Sequence, residues 1–493
     1  MTALTLLFYV ASAGVPIGTY PDCSEENQDA CPSDLDDWQH LSWIPEGSQH
    51  TVRPAELSLG SGMSLDVAVR QETGRWDAII AVLDSGIYWQ ETKLYNKIYL
   101  NTGELPQPTT ADGQLIVDWD LDQNGLVNLD DYRQDPRIDI AAGVGVADDR
   151  LDPSDLIHTF SDGVDDDGNG FVDDIAGWDF FNNDNDPFAA LQALQASHGT
   201  GVAKEAALSG DDGSGIGTCP NCAVLPIRIG DSFIVTGDRV ALGVAYAADA
   251  GVRVLAMASG ALTHPEVAVE ALEYANNAGV VLVAAAGDEN SYHHNFPAAD
   301  DAVLYVHSIR ANNQHEDDEA YSYFNILNCN NWGPRLDLVA PATSCATGSV
   351  AAISGAAGLI VSAGLNTNQD LAAEEVKALL RGTADDVFLT EEERETAGAY
   401  PSKEGWDAFY GYGRVNLGRA VQAVYAGEIP PIARITAPRW FTFVDTKGPA
   451  IEVTGVVEAP RSAVESWSLQ VGFGAEPSSW EEVASGSGPV TGL

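Results

Sequence analysis

Two residues in this 493-residue chain stand where acid–base chemistry is readily arranged. Asp84 closes "AIIAVLD", an apolar run that reads as a buried strand. Its carboxylate therefore sits at the carboxyl end of a strand, where ligand and catalytic groups collect in open α/β sheets. His198 stands directly before "GTGVA", a Gly-rich helix start. An imidazole held there by a carboxylate is a general base able to take a proton from a hydroxyl nucleophile. Hydroxyls are at hand in "TSCATGSVAAISGAAGLIVSAG", residues 343–364. Its second half reads as a buried helix of small residues, and its first half carries Thr347 and Ser349.

A second chemistry is written in the acidic loops. "DLDQNGLVNLDD" begins at Asp120 and puts Asp120, Asp122 and Asn124 at loop positions one, three and five. Gly125 falls at six, Val127 at eight and Asp131 at twelve. That spacing wraps oxygen ligands around Ca²⁺, with the glycine taking the sharp turn. Asp rather than Glu at the last position weakens the bidentate contact. "DGVDDDGNGFVDD" repeats the theme with Asp165, Asp167, Asn169, Gly170 and Asp173. Its twelfth position is Ala176, so the loop is not a full EF-hand. Carboxylates this dense repel one another without a cation, and Ca²⁺ is the expected cofactor of both loops.

The elements that must position these groups follow from periodicity. "AIIAVLD", "AVLPIRI", "VRVLAMAS", "VVLVAAAG" and "AVLYVHSI" are nearly all apolar, as strands of a parallel sheet covered on both faces should be. Between them, "GDRVALGVAYAADAG" and "HPEVAVEALEYANNAG" are amphipathic at helical spacing and closed by Gly. The βαβ repetition predicts a doubly wound α/β domain, a mostly parallel sheet with helices on both faces. "GEIPPIARITAP" breaks the pattern, and "IEVTGVVEA" and "SWSLQVGFG" alternate like antiparallel strands. The expected organisation is a signal-like segment over 1–13, an acidic Cys-containing segment over 14–66 and the α/β domain over 67–427, with an acidic insert at 105–187. A partial Ig-like β-sandwich over 428–493 would follow, able to bind a surface or glycan.

In this order the pieces resemble the subtilisin-like serine proteases, the subtilases, over roughly residues 76–426. "AVLDSGI" resembles the family's Asp motif, and "HGTGVA" its His motif, with Gly201 in place of a second His. "VVLVAAAGDEN" resembles the strand leading to the oxyanion Asn, and "LDLVAPATS" the segment before the nucleophile. "EVKALLRGTADDV" and "GYGRVNLGRAV" resemble the closing helices, and "DDDGNGFVDDIAGWDFFNNDNDP" the Ca²⁺-rich approach to the His motif. The resemblance implies that Asp84 and His198 orient and carry the base of a peptide-hydrolysing acyl-enzyme mechanism, with polypeptide as substrate.

The nucleophile motif departs. The family pattern ends eight residues after its Ser on a Gly, which "ISGAAGLI" places at Gly355, so the Ser position falls on Thr347. A two-residue deletion would instead leave Ser349 as nucleophile. Thr347 would have the helix N-terminus, where its own N–H helps bind an oxyanion, but its methyl restricts χ1. Ser349 is the better nucleophile half a turn farther in. Asp288 replaces the oxyanion Asn, and an ionised Asp accepts but cannot donate. The expectation is a divergent serine-type endopeptidase. The alternative is a catalytically inactive member of the fold serving as a Ca²⁺-dependent binding or scaffold module.

Composition narrows the setting. Asp and Glu number 73 against 24 Lys and Arg, a net charge of -49 that disfavours nucleic acid and anionic membrane as partners. Six cysteines fall into the local pairs Cys23–Cys31, Cys219–Cys222 and Cys329–Cys345, expected as disulfides in an oxidising compartment. "TALTLLFYVASAG" ends in a small-residue cleavage pattern, Ala11-Ser12-Ala13, so a secreted protein is expected. No span across a membrane is expected, and a monomer is.

Overall fold

The computed structural model describes residues 38–491 except 46–51, 53, 92, 142, 144–149, 190–196, 211–214, 312–321, 327–328, 389, 391–400, 441, 444, 446, 475–476 and 478. The signal-like segment and the Cys23–Cys31 pair lie outside the described residues.

The centre is an eight-stranded sheet. Its order runs Leu338–Pro341, Val303–Arg310, Val281–Ala285, Val254–Met257, Ile80–Asp84, Val224–Arg228, Trp178–Asp179, all parallel. Asn325–Ile326 adds an antiparallel pairing to Val303–Arg310. The chain order reverses at the Ile80–Asp84 strand, whose neighbours start level with it, Ile80 opposite Val224 on one side and Val254 on the other. A crevice therefore opens beyond the carboxyl end of that strand, where Asp84 sits.

Ile80–Asp84 is buried along its whole length, because helices cover both faces. A Cβ on Gly358 would come within 3.2 Å of Ile80 Cδ1, and one on Gly243 within 2.2 Å of Leu83 Cδ1. Residues 80 and 83 point to opposite faces of a strand. The helix Ala346–Asn366 thus covers one face and Gly237–Asp249 the other, with Glu266–Asn277 packed beside the latter. Ala346–Asn366 is made of small and aliphatic residues and is buried from Gly348 to Gly364. By length and composition it would suit a membrane span, but 94% of its most apolar window is buried inside this domain.

The described part of the N-terminal acidic segment is no separate layer. Leu41, Ile44, Met63 and Leu65 are buried, and Arg414 donates to Gly60 O at 2.9 Å. Two of the expected disulfides are formed, Cys219–Cys222 and Cys329–Cys345, with Cα separations of 5.4 and 6.0 Å.

Beyond Leu417–Ala426 the chain changes character. Ile432–Ala437, Thr454–Glu458 and Val490–Thr491 form an antiparallel three-stranded sheet, and Trp467–Val471 pairs antiparallel with Glu481–Gly486. From residue 451 to 490 none of the described residues is buried.

Candidate active site

The helix His198–Ala207 begins against the end of the Asp84 strand. Gly199 makes that approach sterically feasible: a Cβ there would lie 2.5 Å from Gly86 O and 3.2 Å from Asp84 Cβ. Thr200 pins the same junction by accepting the Tyr88 N–H at 2.9 Å, and Ser85 Oγ accepts the Gly199 N–H at 3.2 Å. The result brings His198 Nδ1 to 2.8 and 3.0 Å from the two oxygens of Asp84, which is 1% exposed. With the proton on Nδ1, facing the carboxylate, Nε2 keeps its lone pair toward the cleft. Burial opposes a charge on His198. The charge and hydrogen bond of Asp84, then the fields of Asp288 and Glu205, outweigh it and raise the ring's pKa above 6.5.

The hydroxyl side is built differently. Cys345 caps Ala346–Asn366, so Thr347 is the second helical residue and half-exposed. Helix starts leave N–H groups without intrahelical partners, and each can be followed here. The Ala346 N–H donates to Asp288 Oδ1 at 3.1 Å, the Gly348 N–H to Cys345 O at 3.0 Å, and the Ser349 N–H to Ser308 Oγ at 3.2 Å. Among the described residues the Thr347 N–H and hydroxyl have no hydrogen-bond partner, and none joins Thr347 to His198. Ser349 is fully buried, and its hydroxyl donates to Ala346 O at 2.6 Å. The two candidate hydroxyls are thus separated by the structure: Thr347 open at the helix start, Ser349 turned back into the helix.

Asp288 follows the strand Val281–Ala285 and is exposed at the cleft rim. Partial loss of hydration raises its carboxyl from 3.8; the Ala346 N–H and His198 pull the other way and Glu289 adds to the rise. Asp288 therefore acts as an acceptor at the N-terminus of the helix, a place that favours a negative charge. Asn290 has φ 50°, and its N–H donates to Cys329 O at 3.0 Å.

Sequence reasoning missed Glu205 and Ser308. Glu205 lies seven residues after His198, hence on the same helix face, a spacing that would have revealed it. Its Oε2 is 3.6 Å from where a side chain on Gly348 would begin. Although exposed to solvent, it is crowded enough that desolvation raises its carboxyl to about 7, against the pull of His198 and Lys204. Ser308, which also donates to Cys345 O at 2.7 Å, has no such signal, since a serine inside a buried strand carries no period of its own.

The acidic loops form two groups. Asp120, Asp122 and Asp131 each offer an oxygen within 4.8 Å of the others. Gly125 takes φ 81° at the sixth loop position, and Asp120 accepts the N–H groups of Asn124 and Gly125 at 3.0 and 2.7 Å. Asp131 is wholly buried, and desolvation with the nearby Asp122 and Asp120 lifts it to about 6. The second group is Glu104, Asp165 and Asp167. Glu104, sixty residues upstream, was not found in the sequence; it also accepts the Asp167 and Asp173 N–H groups at 3.0 and 3.1 Å. Asp173, expected among the ligands, instead turns both oxygens to the Asp162 and Gly163 N–H groups at 2.9 Å. Asn124 and Asn169 use their side-chain oxygens on the N–H groups of Leu126 and Phe171, each at 2.7 Å. Among the described residues no Lys or Arg forms an ion pair with either group. All-oxygen clusters without a cationic neighbour fit a hard divalent ion.

Set beside known proteins, residues 76–413 match the model described as the Subtilase family. The chain is 30% identical over 261 residues to thermitase of Thermoactinomyces vulgaris, covering 50% of this chain and 81% of that one. It is 29% identical over 263 residues to a thermophilic serine proteinase of Bacillus sp. (strain AK1), covering 50% and 56%. It is 28% identical over 270 residues to a halolysin-like extracellular serine protease of Natrialba magadii, covering 51% and 43%. It thus spans most of thermitase and about half of the other two.

Proposed function

The chain belongs to the subtilase family of serine proteases, and on that premise we propose that it is a Ca²⁺-stabilised, extracellular endopeptidase whose nucleophile is Thr347. The observation that carries the reading is the His198–Asp84 pair at 2.8 and 3.0 Å, with its free nitrogen toward the cleft. His198 would take the proton of Thr347 Oγ1 as that oxygen bonds to the peptide carbonyl carbon. The same proton then goes to the leaving amine as the C–N bond breaks, and water, activated by His198, releases the acyl group from Thr347. Asp84 holds the tautomer and steadies the imidazolium. The unpartnered Thr347 N–H is the donor available to the oxyanion.

Asp288 limits this chemistry. To donate it must be protonated, yet its carboxylate is one of the charges that raise the pKa of His198, after Asp84. In its ionised form it accepts from the Ala346 N–H and offers the oxyanion no proton. A depressed turnover follows. The inactive-scaffold reading draws on the same observation, the Asp288 carboxylate seated on the Ala346 N–H. Labelling with a fluorophosphonate separates the two: covalent capture dependent on His198 supports the enzyme, and no capture at any pH supports the scaffold.

Ca²⁺ would be held by Asp120, Asp122 and Asp131 and by Glu104, Asp165 and Asp167. There it would neutralise clustered charge rather than take part in the reaction. Secretion is supported by the formed disulfides and by the extracellular relative. The antiparallel strands after residue 450, none of whose described residues is buried, are in keeping with a surface-binding appendage.

A further inference from the structure

Between residues 428 and 493 there are three arginines, Arg434, Arg439 and Arg461, and all three lie at the seam with the α/β domain. Two have partners across it. Arg439 reaches Glu273 at 2.5 Å and Glu266 at 3.7 Å. Arg461 holds the buried Glu375 with two bonds, 2.9 and 3.1 Å, and Asp370 O at 2.6 Å. The Arg434 side chain makes no hydrogen bond and no ion pair among the described residues, and feels Asp301 and Glu374 only at longer range. In a chain with 73 acidic and 24 basic residues, an arginine without a contact partner is anomalous.

Arg434 instead faces a cavity of about 220 Å³. One wall comes from the end of Glu266–Asn277, another from the turn at Asp300 and Asp301, the third from Ile432–Ala437. Of its charged lining, Glu273 and Arg439 already pair with each other at 2.5 Å, and Asp301 has Arg335 at 3.9 Å, which leaves Arg434 and Asp300 on facing walls as the charges least engaged. Asp300 is 7% exposed and uses one oxygen on the Ala302 N–H at 2.9 Å. A plain anion entering the cavity would meet the carboxyl groups of Asp300 and Asp301, and a plain cation the guanidinium of Arg434. A molecule carrying both charges a short distance apart meets neither penalty, and the volume, below the ~300–1,000 Å³ of drug-sized pockets, restricts it to a small one.

We propose that this seam cavity binds a compact zwitterion of the α-amino acid class, with its carboxylate against Arg434 and its ammonium toward Asp300 and Asp301. The bidentate fork of a guanidinium matches a carboxylate. The site shares no residue with the Asp84–His198 cleft and does not depend on the proposed peptidase activity. A ligand there would touch both the α/β domain and the strand region, and so fasten the two.

The test is a calorimetric titration of the full chain with glycine, run beside sodium acetate and methylammonium chloride at equal ionic strength. Glycine is expected to bind saturably and the two single-charge controls not over the same range. Arg434→Gln should weaken glycine binding at least tenfold. Because the Arg434 side chain has no hydrogen-bond or ion-pair partner among the described residues, the variant's far-UV circular dichroism and melting curve without glycine should match the parent's. Asp301→Asn, on the opposite wall, should weaken glycine as well. Absence of a saturable glycine signal, equal binding of acetate, or glycine binding unchanged in Arg434→Gln would each overturn the proposal.

Discussion

The two halves of the cleft are built to different standards. On the Asp84–His198 side every neighbour serves one geometry: Gly199 permits the approach, Thr200 and Ser85 lock it, and both Asp84 oxygens face one ring nitrogen. On the Thr347 side the groups are committed elsewhere. Asp288 takes an N–H it would be expected to complement, Ser349 bonds its own helix, and the Thr347 hydroxyl has no hydrogen-bond partner among the described residues. Positioning a base and positioning an oxyanion are thus separable tasks, and here the first is met in full and the second in part.

The comparison is broken most severely from its well-built side. His198→Ala should cost about 10⁴-fold or more in kcat/KM on a fluorogenic peptide, the scale of losing a triad base. Thr347→Ala should match it, whereas Ser349→Ala should leave the rate near the parent's. A large loss from Ser349→Ala with little from Thr347→Ala would reverse the assignment. Next in size is a gain. Asp288→Asn supplies a standing donor, worth about 10²–10³ in turnover for a single oxyanion contact. No gain would mean that Thr347 is misaligned rather than merely unsupported. Thr347→Ser removes a crowding methyl and should help by about tenfold at most, the scale of a ~1 kcal/mol rotamer penalty.

Chelation tests the acidic loops and leaves the cleft intact. Excess chelator should lower the melting temperature by on the order of 10 °C if both groups bind Ca²⁺ tightly. An unchanged melting curve would remove Ca²⁺ from the account. The smallest expected effect is on pH dependence. Activity needs neutral His198, so it should rise as pH climbs through that residue's raised pKa, above 6.5. Glu205→Gln deletes one of the charges that raise it, and the acid limb of the profile should move to lower pH. A limb that stays in place would show Glu205 to be electrically silent at His198.

Much of the better-built half was legible beforehand. A carboxylate at the end of an all-apolar strand and a histidine before glycines depend on local pattern, and local pattern is what a sequence displays. The mostly parallel sheet and its two covered faces followed from the same runs, whereas the order of the strands did not. The weaker half depends on where side chains turn once the helix is packed. Whether Ser349 faces the cleft or Ala346 O is decided by burial against Ser308, a partner 41 residues away in the chain. Glu104 is a case of the same kind, joining Asp165 and Asp167 only when the loops meet, and Asp173 is another, its φ of 57° turning its carboxylate back to the preceding turn.

Gly355 carries a consequence for how such a cleft can change over time. It sits eight residues after Thr347, about 12 Å along the helix, and a Cβ there would lie 2.5 Å from Thr218 Cβ and 2.7 Å from Ala206 O. Ala206 belongs to the helix that begins with His198. The distance between base and nucleophile is therefore gauged by a point where two helices meet with no side chain between them. A single methyl at that fulcrum would lever the halves apart without touching either. Divergence at Thr347 and Asp288 can be repaired one residue at a time while that gauge holds; once it is lost, no change inside the cleft brings the two sides back into register.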